Sequence, residues 1–148
     1  MSNDLETQPN TTTEVDPQGW TRAFAAQSAD AFADAFAEDV VLEATTLYRP
    51  VRGRDLVKQT MAAASEIYES LVFTRQAVNG PHTYLEWEAT ALGGIALHGI
   101  TILTKDEDGK ITHASIHHRP LGAVLTFSAE IGRRLAGVLD PGYFYPGD

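Results

Sequence analysis

The chain contains no cysteine, so it can build no disulfide framework, thiolate metal site or thiol nucleophile, and redox chemistry through sulfur is excluded. Basic residues are scarce, 11 Lys and Arg against 20 Asp and Glu, for a formal net charge of -9. A field of that sign repels phosphate backbones and anionic bilayers, which argues against nucleic acid or membrane as a partner. No apolar run is long enough to span a bilayer, and Met1 to Asp16 has neither the basic start nor the apolar stretch of a signal peptide, so a cytoplasmic protein is expected. GxGxxG and other phosphate-cradling loops are missing too, and no cofactor is expected. There is no internal repeat and no low-complexity segment.

What is present suffices for one core: 148 residues, 43% of them hydrophobic. Residues 1–15 are polar and lack apolar periodicity, which predicts a flexible tail. Asp16 before Pro17 predicts a helix start, followed by Trp20, Ala23, Phe24 and Gln27 on one face. Ala29, Phe32, Ala33 and Phe36 predict a second short helix, and Leu56, Val57, Thr60, Met61 and Ala64 a third after Gly53. Val40 to Thr45 is β-rich. From Tyr68 the period changes to two, predicting strands at about 71–77, 83–91, 95–104 and 111–118, joined by turns at Asn79-Gly80-Pro81, Gly93-Gly94 and Asp108-Gly109. A last helix is expected over Leu121 to Leu139, from the stripe Val124, Leu125, Ser128, Ile131 and Leu135, with a short tail over 141–148. Helices first and strands afterwards make one α+β domain over 16–140.

Two segments carry a resemblance: AFAEDVVLEATTLYRPVRGRD, Ala35 to Asp55, and DEDGKI, Asp106 to Ile111. Together they resemble the nuclear transport factor 2-like superfamily, in its SnoaL-like branch, over about Pro17 to Arg119. The resemblance implies a cone-shaped curved antiparallel sheet packed on three N-terminal helices, with a pocket inside, and the C-terminal helix as an addition. Ketosteroid isomerases of this superfamily use an aspartate base with a tyrosine and a protonated aspartic acid as oxyanion donors. Carried across, the base position falls on Ala44, the tyrosine on Trp20 and the second acid on Thr101. Alanine neither accepts nor gives a proton, so that mechanism is not supported. The late aspartate of SnoaL-type cyclases falls at about His118 or Arg119, and histidine is a group suited to proton transfer near neutrality.

Thr112, Ala114, Ile116 and His118 share a strand face by alternation, and the resemblance makes it the concave one. His118 is thus the candidate catalytic group or polar anchor, its alternative being a structural histidine at a strand end. Two registers are open for YLEWEATALGG. A turn centred on Gly93 turns Leu85, Trp87 and Ala89 inward, whereas a turn between Gly93 and Gly94 puts Tyr84, Glu86 and Glu88 in the cavity. An unpaired buried carboxylate is costly, which favours Trp87 inside. The expected ligand-binding set is Trp20, Phe24, Tyr48, Met61, Trp87, Thr101, Ile116 and His118.

His113 and His117 share a face but lie about 13 Å apart along an extended strand, too far for one ion, and no metal is expected. A hairpin centred on Glu107 and Asp108 would set His98 opposite His117. Ser115 lacks a recognisable base and orienting acid. Ile100 and Ile102, with Leu85 or Trp87, would leave the outer sheet face apolar, so a homodimer is expected. The function expected is binding of a small, largely apolar molecule, with cofactor-independent isomerisation, cyclisation or hydration as the chemistry. The alternative is a non-catalytic module whose cavity is filled by its own side chains.

Overall fold

The computed structural model describes residues 15–147. The expected tail therefore lies, but for Val15, outside the described residues, and Val15 itself packs against the core. The chain runs α1 (Gly19–Ala26), α2 (Ala29–Ala35), β1 (Phe36–Ala44), β2 (Val51–Arg52), α3 (Arg54–Ile67), then β3 (Tyr68–Asn79), β4 (His82–Ala91), β5 (Ile95–Lys105), β6 (Ile111–Arg119) and α4 (Leu121–Arg134). Among the described residues no helix is long and apolar enough to cross a membrane.

The α+β architecture with helices on one face of a curved sheet stands as expected. Strand order is β2-β1-β6-β5-β4-β3, and β3 to β6 form the antiparallel meander that the period-two pattern predicts. One pairing is different: β1 runs parallel to β6, with Leu42 beside Ala114 and Ala44 beside Ile116, so the sheet is mixed. No hairpin joins these two strands. All of α3 and the meander intervene, so antiparallel direction is not imposed on them.

Helix boundaries shift for local reasons. The Thr21 hydroxyl accepts the Gln18 N–H at 3.1 Å, and α1 begins after Gln18 rather than at Pro17. Asp16 instead accepts from the Gln76 side chain. Phe36, expected on the second helix, adopts extended backbone and opens β1, so its ring enters the core from the sheet. There it joins Trp20, Phe24 and Phe32 in an aromatic cluster with ring centroids 5.3–6.2 Å apart.

The last helix is shorter than the expected Leu121 to Leu139. It ends at Arg134, and Gly137, at φ 86°, turns the chain so that Leu135 and Leu139 are still buried. The segment expected as a short tail makes a 3-10 turn at Pro141–Tyr143, after which Phe144 is buried against Gly132. A side chain at Gly132 would meet that ring, its Cβ only 3.0 Å from the Phe144 Cβ.

The β5–β6 register also departs from the symmetric hairpin. An irregularity between Thr104 and Lys105 pairs His98 with Arg119 and Ile100 with His117, so His98 is not opposite His117. The Thr112 hydroxyl donates to the Thr104 carbonyl at this place, which accommodates the extra residue.

Candidate functional site

The β4–β5 turn decides what the cone encloses. Ala91 pairs with Ile95, leaving Leu92, Gly93 and Gly94 as the loop, all three at positive φ. Two glycines meet that requirement without the steric penalty of a side chain. Every second residue before the turn then points inward: Leu85, Trp87 and Ala89 are buried, while Glu86 and Glu88 face out. Glu86 pairs with Arg75 at 2.7 Å on the outer side. The register with Trp87 inside is the one adopted.

A narrow cavity lies between the concave face, α3 and α4. Of the expected set, Phe24, Met61, Trp87, Thr101, Ile116 and His118 line it. Trp20 does not. Its ring is 1% exposed, surrounded by Phe24, Phe32 and Phe36, and its Nε1 has no hydrogen-bond partner among the described residues. Tyr48 does not either, being 64% exposed on the loop beyond β1 while its neighbour Leu47 takes the cavity side. Ala44, where the resemblance would seat an isomerase base, presents a methyl group to the cavity.

Sequence reasoning missed Tyr68, Leu71 and Phe73 from β3 and Phe127 and Ile131 from α4 as cavity walls. Leu71 and Phe73 were in phase on one strand face. Phe127 stands three residues after Val124 on the buried stripe, a place where helical spacing points, whereas Leu125 is only half-buried.

The rings are arranged around one glycine. On β5, Gly99 lies between Trp87 of β4 and His118 of β6. With no side chain between them, indole and imidazole meet edge to face, centroids 5.4 Å apart. A Cβ built on Gly99 would fall within the Trp87 ring. The indole Nε1 donates to the Thr101 hydroxyl at 3.1 Å, a buried bond that fixes the ring across the cavity floor. Phe127 from α4 covers His118 at 6.2 Å and Tyr68 at 4.8 Å between centroids.

His118 is held by Thr45, just beyond β1, whose own N–H donates to the Ile116 carbonyl and so continues the parallel pairing. The Thr45 hydroxyl accepts the His118 main-chain N–H at 2.9 Å and lies 2.7 Å from Nδ1, setting the ring orientation. Burial, with His117 adding to it, lowers the imidazole to about 4, the Ile116 carbonyl acting weakly the other way. The ring is therefore neutral at pH 7. Burial likewise raises the Tyr68 phenol, so it stays protonated. Within these walls a neutral imidazole can exchange a hydrogen bond or accept a proton from a strongly activated position. As a base it is weaker than the near-neutral optimum.

The free space is small, about 20 Å³, room for about one water. At one end α4 closes the space and is pinned there: the buried Ser128 hydroxyl donates to the Thr46 carbonyl at 2.6 Å and accepts the Tyr145 N–H at 2.9 Å.

Outside the cone, His113 lies 2.7 Å from Glu43 and His117 lies 2.8 Å from the Ser115 hydroxyl. Ser115 thus does meet a histidine, but on an open sheet face where water is not excluded. Among the described residues no three His, Asp or Glu side chains gather as a metal site.

Known proteins resemble the chain as follows. The sequence profile described as SnoaL-like domain matches residues 18–114. No curated protein matches. Among solved structures, a steroid delta-isomerase from Pseudomonas aeruginosa is 25% identical with a TM-score of 0.73, over 80% of this chain and 87% of that one. A bacterial protein of cystatin-like fold from Silicibacter pomeroyi is 21% identical, TM-score 0.75, over 81% and 86%. A protein of ketosteroid isomerase-like fold from Catenulispora acidiphila, in complex with trimethylamine, is 21% identical, TM-score 0.60, over 78% and 95%.

Proposed function

The chain belongs to the SnoaL-like domain family, and from that premise we propose that it binds a small, largely apolar molecule in the cone, oriented by His118. The observation that carries this reading is a walled apolar cavity into which one imidazole projects, its ring held by Thr45 and flanked by Trp87. Apolar walls with a few fixed polar groups are what small-molecule sites are made of. Where the ligand has an activated C–H or a hydroxyl to lose, His118 is the group that moves the proton, in an isomerisation, cyclisation or hydration without cofactor. That the steroid delta-isomerase is among the similar structures agrees with chemistry of this class, although Ala44 removes the isomerase base.

The narrowness of the cavity favours a second reading, a non-catalytic module whose interior is filled by its own side chains. Both readings accommodate a homodimer through the outer sheet face, where Ile100 is 37% exposed beside Ile102 and no helix covers them; Leu85 and Trp87, being buried, take no part.

The test is a fluorescence and thermal-shift screen of small enones, terpenoid ketones and alkylamines on the native protein, His118→Ala, Glu86→Gln and Glu88→Gln. A ligand of the cone loses about tenfold or more in affinity on His118→Ala, by removal of its buried hydrogen-bond partner, and is indifferent to the glutamate variants. Strong loss in a glutamate variant with His118→Ala silent would overturn the assignment.

A further inference from the structure

The cavity shares a wall with the molecular surface between α1 and β3. A surface groove of about 340 Å³ runs between α1 and the start of β3, and Phe24, Tyr68, Leu71 and Phe73 line both the groove and the cavity. These four residues stand between the two spaces.

The seam is fastened at its ends and loose between them. At one end the Gln18 side chain donates to Gln76 on β3 at 2.9 Å; at the other, Gln27 donates to the Ser65 carbonyl of α3 at 3.0 Å. Between these clasps no hydrogen bond joins α1 to β3 among the described residues, and Phe24 meets the rings of Tyr68 at 6.2 Å and Phe73 at 5.8 Å. β3 is an edge strand, and its pairing with β4 is interrupted between Tyr68 and Ser70 and again between Phe73 and Arg75. The wall segment therefore sits between two bulges with a neighbour on one side only, where side chains and backbone give most easily. The α4 end, by contrast, is held by the buried Ser128 bonds and by Phe144.

The groove has a definite electrostatic character. Its lining includes no Lys, Arg or His. Glu69 is its one charge, and both carboxylate oxygens are fixed by the Gly93 and Gly94 N–H groups at 2.9 and 3.0 Å. The hydroxyls of Ser65 and Thr21 donate to the Ala62 and Gln18 carbonyls and the Ser70 hydroxyl is paired with that of Thr90, so these three are engaged within the protein.

We propose that the ligand reaches the cavity through the α1–β3 seam, by displacement of Phe24, Leu71 and Phe73, and that the groove outside admits uncharged or cationic molecules and rejects anionic ones. This rests on the reading of the cone as a ligand site. It restricts the substrate class to molecules without carboxylate or phosphate.

The experiment uses two probes of the same shape, the uncharged N-phenyl-1-naphthylamine and its sulfonated analogue 1-anilinonaphthalene-8-sulfonate. Binding is followed by stopped-flow fluorescence on the native protein, Leu71→Ala, Leu71→Trp and Ser128→Ala. Expected are faster association by about fivefold in Leu71→Ala, slower association in Leu71→Trp, and a change under about twofold in Ser128→Ala, since only the first two alter the gate. The sulfonated probe binds about tenfold or more weakly than the neutral one, a gap that Glu69→Gln narrows. Neutral-probe binding that Ser128→Ala accelerates and Leu71 substitutions leave alone would place the route past α4 and overturn the proposal, as would equal binding of the two probes. Absence of binding by both probes would instead remove the ligand site itself, and the seam with it.

Discussion

Replacing Gly99 by alanine adds one methyl group at the point where three strands bring Trp87, Gly99 and His118 side by side. The new Cβ would overlap the indole and come within 2.7 Å of the His117 carbonyl, which as backbone on a central strand cannot retreat. The indole has to swing away, losing its bond to Thr101 and its edge contact with His118. Overpacking of this kind costs about 1–3 kcal/mol. The lost hydrogen bond adds about 1 kcal/mol and the ring pair about 0.5–1.5 kcal/mol. A total of about 4 kcal/mol lowers Tm by about 8–16 °C in a chain of this size. Thermal unfolding followed by far-UV circular dichroism measures the loss, and near-UV ellipticity reports the tryptophan environment. A double-mutant cycle with Trp87→Leu separates the causes: without the indole, most of the glycine's effect should vanish, leaving the part due to His117. Unchanged Tm and near-UV signal in Gly99→Ala would refute the account of how the rings are packed.

Three further outcomes are expected. Because His118 titrates near 4 in the folded chain and near its ordinary value when unfolded, the unfolded state binds the extra proton between those values. Stability is full above about pH 6.5 and falls by about 2–3 kcal/mol as pH drops to about 4, a slope that denaturant titrations should find reduced in His118→Gln. Ser128→Ala leaves the Thr46 carbonyl and the Tyr145 N–H without their hydroxyl partner and should lower stability by about 2–3 kcal/mol in the same assay, while a loss under 0.5 would show that α4 is not pinned there. If the outer face associates, multi-angle light scattering at micromolar concentration finds a dimer that Ile100→Glu dissociates, and a native monomer ends that idea.

The concave face was legible because strand alternation depends on a single choice, and the physical cost of burying Glu86 and Glu88 made it correctly. Alternation set Ile116 and His118 on one face, which the resemblance made the concave one, and the resemblance put Thr101 at the second-acid position. Trp20 was carried there by the resemblance, at the isomerase tyrosine position, but neither that position nor its helical stripe gives the depth of a side chain, and three phenylalanines surround it. Tyr48 lies in a loop, where no period directs a side chain. The His98 and His117 pairing failed twice over: the hairpin centres on Asp108, and the bulge at Thr104 adds a second residue of offset, each step moving every later partner without a sign in composition. The β1–β6 pairing was out of reach for another reason: parallel neighbours need no connecting turn, so no local residue pattern marks them.

That parallel pairing has a kinetic consequence. Phe36 finds its strand partner Ile111 only after about seventy further residues have been made, and until then β1 and β2 have no other sheet neighbour. Closing so large a loop requires conformational entropy to be lost before the contact forms. On the ribosome β1 and β2 must wait for β6 to emerge before they join the sheet, whereas the β3–β6 hairpins can form as they appear. A defect in β6 therefore severs β1 and β2 from the rest of the sheet, since no other strand joins the two parts among the described residues.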